Sequence, residues 1–119
     1  MKVLIVDDNQ RVTFIVRMIL EAEGYEVKTA LNGPDGYLAY LQFRPDLVIT
    51  DIQMPGENGF ELMNHIREKE PMVKTIYMSG NLGQFHSLLE NEKCKYPIDV
   101  LNKPFSVEEL VRQVSRFSC

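Results

Sequence analysis

A chain of 119 residues fits a single domain, residues 1–119, that can bury a hydrophobic core without disulfides. Its 13 basic and 17 acidic residues give a formal net charge of −4, which argues against direct binding of nucleic acid, because such binding usually needs a basic surface. No apolar run is long enough to span a membrane, and no secretory signal pattern precedes the first apolar run. We therefore expect a cytoplasmic protein that makes no membrane contact.

Short apolar runs rich in β-branched residues alternate with segments of helical periodicity. The runs predict five strands, at residues 3–6, 25–29, 47–50, 75–78 and 98–101. Several are apolar at consecutive positions, which is typical of a sheet covered on both faces. Strands that are each followed by a helix predict a parallel α/β sheet with right-handed crossovers.

The first predicted helix carries two apolar stripes and ends before Gly24. The stripe expected to face the core consists of Val12, Ile15, Val16 and Ile19. Phe14 and Met18 form the second stripe, which could contact a partner, although packing within the domain is the preferred interpretation. The second predicted helix begins at residues 32–34 and ends before Pro45.

The third predicted helix covers approximately residues 57–68, and the fourth, in residues 82–89, is the weakest because it offers few apolar positions. The fifth has a strong apolar periodicity over residues 107–117 and begins with a capping box of Ser106 and Glu109. Four other side chains have ordinary interpretations as helix-surface histidines or incidental thiols: His65, His86, Cys94 and Cys119.

Polar side chains follow four of the predicted strands, where an open parallel sheet binds its ligands. They are Asp7 and Asp8 after the first strand, Asp51 after the third, Ser79 after the fourth and Lys103 beyond the fifth. Neighbouring carboxylates stay ionised together only when a cation joins them, and oxygen ligands favour Mg2+. A carboxylate in such a site can act as a nucleophile toward a phosphoryl group, while a lysine and a hydroxyl offset the developing charge.

Each of these residues also has an ordinary explanation when it is considered alone. An Asp-Asp pair after a strand is often a helix N-cap or part of a turn, Ser79-Gly80 follows a strand as such pairs commonly do, and an isolated lysine usually lies on the surface. Their combination, in this order and at the ends of the predicted strands, favours a phosphoryl-transfer site.

With these residues in place, the whole chain resembles the receiver domain of bacterial two-component response regulators. The stretches that carry the resemblance are VLIVDDN at residues 3–9, PDLVITDIQMPG at 45–56 and NKPF at 102–105. The resemblance implies a doubly wound, flavodoxin-like (βα)5 domain. Its five-stranded parallel sheet would have the order 2-1-3-4-5, with helices on both faces.

The resemblance also implies a role for each acid. Asp51 corresponds to the phosphoacceptor, which receives a phosphoryl group from phosphohistidine on a sensor histidine kinase or a histidine phosphotransfer protein. Asp8 and Asp51 correspond to direct Mg2+ ligands, together with the backbone carbonyl of Gln53. Asp7 corresponds to the acid that reaches the metal through water.

Ser79 matches the family's switch hydroxyl and Lys103 its cation, and the Lys103–Pro104 bond is expected to be cis. The sequence departs from the common pattern in two places. Many receivers carry an aromatic residue three positions before the lysine, where this chain has Val100, so the usual serine–aromatic coupling is not expected here. The polar stretch 91–97 predicts a longer or irregular loop before the fifth strand.

These features predict a phosphorylation-driven signalling switch. It is not an enzyme that turns over an outside substrate, although it assists its own phosphorylation and dephosphorylation. Phosphorylation of Asp51 would draw Ser79 and Lys103 inward and change the surface formed by helix four, strand five and helix five, which would control a downstream protein or output domain. Dimer formation through helices four and five is compatible with the sequence.

Three alternative functions are compatible with parts of this pattern. The first is a receiver-like interaction module that works without phosphorylation, which the intact set of acids disfavours. The second is a hydrolase with an aspartyl-phosphate intermediate, but Gln53 stands where a second acid would be needed. The third is a flavin-binding protein, in which Asp7 and Asp8 would repel a phosphate after the first strand.

Overall fold

Five strands and five α-helices alternate along the chain in a computed structural model that describes residues 1–118. The strands are β1 (Lys2–Val6), β2 (Glu26–Ala30), β3 (Leu47–Asp51), β4 (Lys74–Ser79) and β5 (Ile98–Asn102). The helices are α1 (Gln10–Ala22), α2 (Gly33–Phe43), α3 (Gly59–Lys69), α4 (His86–Lys93) and α5 (Val107–Ser118), and a 3₁₀ turn (Leu82–Phe85) precedes α4. All strand pairs are parallel in the order β2-β1-β3-β4-β5, which confirms the predicted fold class.

Apolar side chains cover both faces of the sheet because the strands alternate between two cores. Leu4 and Val6 of β1 pack with α2, α3 and α4, whereas Val3 and Ile5 pack with α1 and α5. The central strand β3 is buried along its whole length. The consecutive apolar residues in the sequence therefore reflect a sheet that lies between two layers of helices.

The residues of α1 that face solvent differ from those that were predicted to do so. Its buried residues are Thr13, Val16 and Leu20, whereas Ile15 is exposed. Phe14 and Met18 are 61% and 56% exposed, so the preferred interpretation of packing within the domain was wrong for both. The helix is rotated toward a stripe centred on Val16, and part of its apolar surface remains in solvent.

Helix α3 begins two residues later than predicted. Asn58 is its N-cap and accepts a hydrogen bond from the backbone N–H of Glu61, while the Glu61 carboxylate accepts one from the N–H of Asn58. This capping box satisfies two of the free N–H groups at the helix start, so the helix begins at Gly59.

The connection between α4 and β5 is shorter than predicted. Residues 91–93 form the last turn of α4, and only residues 94–97 connect it to β5. The backbone N–H groups of Cys94 and Tyr96 donate to carbonyls of the last helical turns, which tightens the helix end. His65 and His86 lie on helix surfaces as expected, whereas Cys119 lies outside the described residues. Within residues 1–118, no helix has the length and apolar character needed to span a bilayer.

Candidate functional site

Three carboxylates meet at the carboxyl ends of β1 and β3. These strands are neighbours, so Asp7 and Asp8, which follow β1, lie beside Asp51 at the end of β3. Each of the three acids offers an oxygen, and these oxygens lie within 4.8 Å of one another. Asp7 is fully buried and Asp51 is 7% exposed, whereas Asp8 is open to solvent. An all-oxygen set at this spacing, reachable from one side, fits a hard divalent cation.

Hydrogen bonds hold Asp7 in one orientation. Its backbone N–H donates to the carbonyl of Ala30 on β2 at 3.2 Å, and its Oδ1 accepts from the N–H of Asn9 at 2.9 Å. Asn9 is also the N-cap of α1. The start of α1 therefore fixes the acid that follows β1, a contact that the sequence reasoning did not anticipate.

Lys103 brings a positive charge to the two more buried acids. Its Nζ lies 2.7 Å from Oδ2 of Asp7 and 3.6 Å from Oδ2 of Asp51. Its backbone N–H donates to the carbonyl of Ser79 at 2.9 Å, which extends the pairing of β4 with β5 past the end of the strands. The Lys103–Pro104 bond is cis, as the resemblance implied.

Ser79 lies at the end of β4, one residue beyond Met78, which is the pairing partner of Asp51. The side chain is buried, and its Oγ accepts a hydrogen bond from the N–H of Asn81 at 2.9 Å. Because this contact uses the oxygen as an acceptor, the hydroxyl proton remains able to donate to another group. The side-chain amide of Asn81 donates to Gln84 in the following 3₁₀ turn at 2.7 Å.

The electrostatic environment of Asp51 disfavours its ionised form. Burial is the main cause, and together with the negative charges of Asp7 and Asp8 it raises the pKa of this carboxyl group to about 6, although Lys103 and a hydrogen bond from the Gln53 backbone act in the opposite direction. One lysine therefore does not compensate three acids. This imbalance is what a bound cation would remove.

Gly59 contributes to the site through its lack of a side chain. A Cβ at this position would overlap the backbone carbonyl oxygen of Asp51 and approach Cα of Ile52 at 3.1 Å. The N–H of Gly59 also donates to the carbonyl of Ile52 at 2.9 Å. The first turn of α3 therefore rests directly on the backbone that carries Asp51. Sequence reasoning missed this residue, although the spacing of Asn58 and Glu61 signals the start of the helix.

The structure thus brings Asp7, Asp8, Asp51 and Lys103 together, with Ser79 at the next strand end. The Gln53 side chain is exposed beside this cluster. Val100 is half-buried on β5 and packs against the core shared by α2, α3 and α4.

Comparison with known proteins agrees with this geometry. A family model described as the response regulator receiver domain matches residues 3–115. The transcriptional regulatory protein ResD of Bacillus subtilis is 34% identical over 113 residues, which are 95% of this chain and 46% of that protein. The DNA-binding dual master transcriptional regulator RpaA of Synechocystis is 32% identical, over 95% of this chain and 47% of its own length.

This chain spans less than half of the length of these two relatives. Among solved structures, the chemotaxis response regulator CheY4 of Vibrio cholerae superimposes with a TM-score of 0.85 at 28% identity, covering 98% of this chain and 97% of that one. The match of the family model over nearly the whole chain, on a fold that carries the acids at the expected strand ends, places the chain in one family: it belongs to the response regulator receiver domains of two-component signalling.

Proposed function

We propose that Asp51 accepts a phosphoryl group from phosphohistidine on a sensor histidine kinase or a histidine phosphotransfer protein. The observation that carries this proposal is the position of Asp51, a nearly buried carboxylate at the end of the central strand that lies among two further acids and one lysine. An oxygen of Asp51 attacks phosphorus, the P–N bond to the histidine breaks, and the imidazole leaves with the electron pair and takes up a proton. The product is an acyl phosphate on Asp51.

We propose Mg2+ as the cation of this site, held by Asp8, Asp51 and the backbone carbonyl of Gln53, with Asp7 contributing through water. The contacts of Asp7 support an indirect role, because its two oxygens already accept hydrogen bonds from Asn9 and Lys103. Asp8 is the exposed acid of the cluster and is open to a hydrated ion. When bound, Mg2+ would neutralise negative charge on the phosphoryl oxygens.

Lys103 and Ser79 would then stabilise the phosphorylated form. The Lys103 ammonium already lies 3.6 Å from an Asp51 oxygen, so a phosphoryl group added there comes within its reach. The Ser79 hydroxyl can donate its proton to a phosphoryl oxygen because its present contact uses only the oxygen. Both residues compensate charge, so neither needs to act as a nucleophile or a general base.

The output would be a change in the surface formed by α4, β5 and α5, read by a downstream protein or an output domain in the cytoplasm. Ser79 and Lys103 stand at the ends of β4 and β5, directly before the segments that lead to α4 and α5. A small movement at these strand ends therefore passes first to this surface. The domain would act as a phosphorylated switch that assists its own phosphorylation and dephosphorylation.

Intact-mass measurement tests the proposal. The protein is incubated with Mg2+ and a small acyl-phosphate donor, with Asp51→Ala as the test variant and Asp35→Ala, an exposed acid of α2, as the matched control. We expect wild type and Asp35→Ala to gain the mass of one phosphoryl group, and Asp51→Ala to gain none. Omitting Mg2+ should also abolish the gain. If folded wild type gains no mass from the donor or from a panel of phosphorylated histidine kinases, the proposal is wrong.

A further inference from the structure

A partly buried polar network fixes the C-terminal end of α4 to two other elements. Oε1 of Glu92 on α4 accepts one hydrogen bond from Nη1 of Arg67 on α3 at 2.9 Å and another from the hydroxyl of Tyr77 on β4 at 2.7 Å. The guanidinium carbon of Arg67 also lies 3.9 Å from the ring centroid of Tyr96, just beyond the helix. One carboxylate therefore joins α3, β4 and α4.

The network is shielded from water, which makes it costly to break. The side chains of Arg67 and Glu92 are only 5% and 12% exposed. Within the described residues, Nε and Nη2 of Arg67 have no hydrogen-bond partner, so Glu92 supplies the main compensation for this guanidinium. Burial and the charge of Glu92 raise the pKa of Tyr77 far above its ordinary value, so its hydroxyl remains a donor. Removing one partner of a buried pair leaves the other charge uncompensated.

The N-terminal end of the same helix has no comparable polar network. Leu82 and Phe85 of the preceding turn are only partly buried where they pack against the core, and α4 begins without a side-chain cap. A Cβ added to Gly83 would meet no described atom within 4 Å, so this turn borders open space. The hydrogen bonds of a 3₁₀ turn have poorer geometry than those of an α-helix, so this turn can rearrange more readily than the helix that follows it. Only residues 80–81 separate the turn from Ser79.

We propose that Glu92, held by Arg67 and Tyr77, anchors the C-terminal end of α4 to α3 and β4, so that phosphorylation can move α4 only as a hinge about this end while the turn at residues 82–85 follows Ser79. The movement at the N-terminal end of α4 rests on the proposed phosphorylation of Asp51. In a hinged α4 the response begins at the junction of β4 and α4, and this response needs no aromatic ring on β5. It therefore accounts for a switch that carries Val100.

Hydrogen exchange measured by mass spectrometry on the whole chain tests the anchor without any phosphoryl donor. Glu92→Ala is compared with Glu90→Ala, a substitution of the same type on the same helix, where Glu90 makes only an exposed ion pair with Lys93 at 3.5 Å. We expect Glu92→Ala to speed exchange in peptides covering residues 88–97 by about tenfold or more, and Glu90→Ala to change it by less than about twofold. Equal effects of the two variants would overturn the proposal.

Tyr77→Phe provides a second test if Glu92→Ala fails to fold. This variant keeps the ring, which packs against Phe60 at a centroid distance of 4.9 Å, and removes only the hydroxyl that donates to Glu92. We expect faster exchange in residues 88–97, in the same direction as for Glu92→Ala but smaller. Unchanged exchange in this variant would remove Tyr77 from the anchor and overturn the network as described.

The hinge itself is tested by repeating the exchange measurement with Mg2+ and the acyl-phosphate donor, with intact mass recorded in parallel. In wild type, we expect phosphorylation to change the rate of hydrogen exchange only at residues 80–86 within α4 and its turn. In Glu92→Ala, we expect phosphorylation to change the exchange rate through residues 88–97 as well. A change throughout residues 88–97 in phosphorylated wild type overturns the hinge. A folded protein that gains no phosphoryl mass overturns the proposed function and its trigger, while the first measurement still decides whether Glu92 anchors the helix.

Discussion

The ammonium of Lys103 lies 2.7 Å from Oδ2 of Asp7, a carboxylate that is fully buried and 96 positions away in the chain. The same ammonium is 3.6 Å from Oδ2 of Asp51. One cation from the end of β5 therefore serves acids from two other strands, and the closer contact is with the acid that we propose does not react. This arrangement gives Lys103 a structural task in addition to its proposed role toward the phosphoryl group.

Lys103→Met should lower the free energy of unfolding by about 2 kcal/mol, because it leaves the buried Asp7 without its cation. The expected loss is smaller than for a fully buried pair since the Lys103 side chain is partly accessible to water. Urea unfolding in metal-free buffer measures the change. Lys93→Met is the matched control and should change the free energy by less than about 0.5 kcal/mol, because its pair with Glu90 is exposed. Equal losses in the two variants would contradict the assignment.

Asp51→Asn should stabilise the metal-free protein at neutral pH. The folded state raises the pKa of this carboxyl from 3.8 to about 6, so the folded protein holds the proton more tightly than the unfolded chain does. The unfavourable contribution of Asp51 is therefore absent below about pH 4, grows as the pH rises toward 6 and is complete above it. Thermal unfolding with a chelator should show a gain of about 1–3 kcal/mol at about pH 7.5 that disappears near pH 4. A gain independent of pH would point to a different cause.

Mg2+ should stabilise wild type, because an ion that binds only the folded state raises the free energy of unfolding. At an ion concentration about 100 times its dissociation constant, the expected gain is about 2.7 kcal/mol. Asp8→Asn should abolish most of this gain with little effect on the metal-free protein, since Asp8 is exposed. Asp35→Asn should retain it. Thermal melts with and without Mg2+ provide the comparison, and an unchanged response in Asp8→Asn would exclude this acid as a ligand.

Gly59→Ala should damage both the fold and the site. The new methyl group would overlap the carbonyl oxygen of Asp51, and a backbone atom cannot swing aside as a side chain can. We expect a loss of about 1–3 kcal/mol in urea unfolding, together with slower phosphorylation by the acyl-phosphate donor because Asp51 is displaced. Gly83→Ala is the control, since a methyl group there meets open space, and it should cause no loss of stability. Similar losses in both variants would argue against the steric explanation.

The errors of the sequence-based predictions fall where an element's position depends on its neighbours. Apolar residues cover more than one side of α1, so periodicity correctly predicted that Val16 faces the core but did not show that Ile15 faces the solvent. The polar composition of residues 91–97 predicted a loop, but Glu92 within it extends α4 and forms an ion pair with the buried Arg67. A charged residue is predicted to be exposed when only the sequence is considered, because its partner is not known.

Local patterns in the amino-acid sequence were enough to predict the alternating strands and helices and the set of polar residues at the strand ends, because a parallel sheet places the residues that end its apolar runs along one edge. The strand order came from resemblance to a family, and the roles of the site residues remain predictions. Three features could be seen only in the folded chain: which acid Lys103 approaches, that Gly59 must lack a side chain, and that Glu92 joins Arg67 to Tyr77. These contacts depend on distances between elements that are far apart in the chain, and no local periodicity encodes such distances.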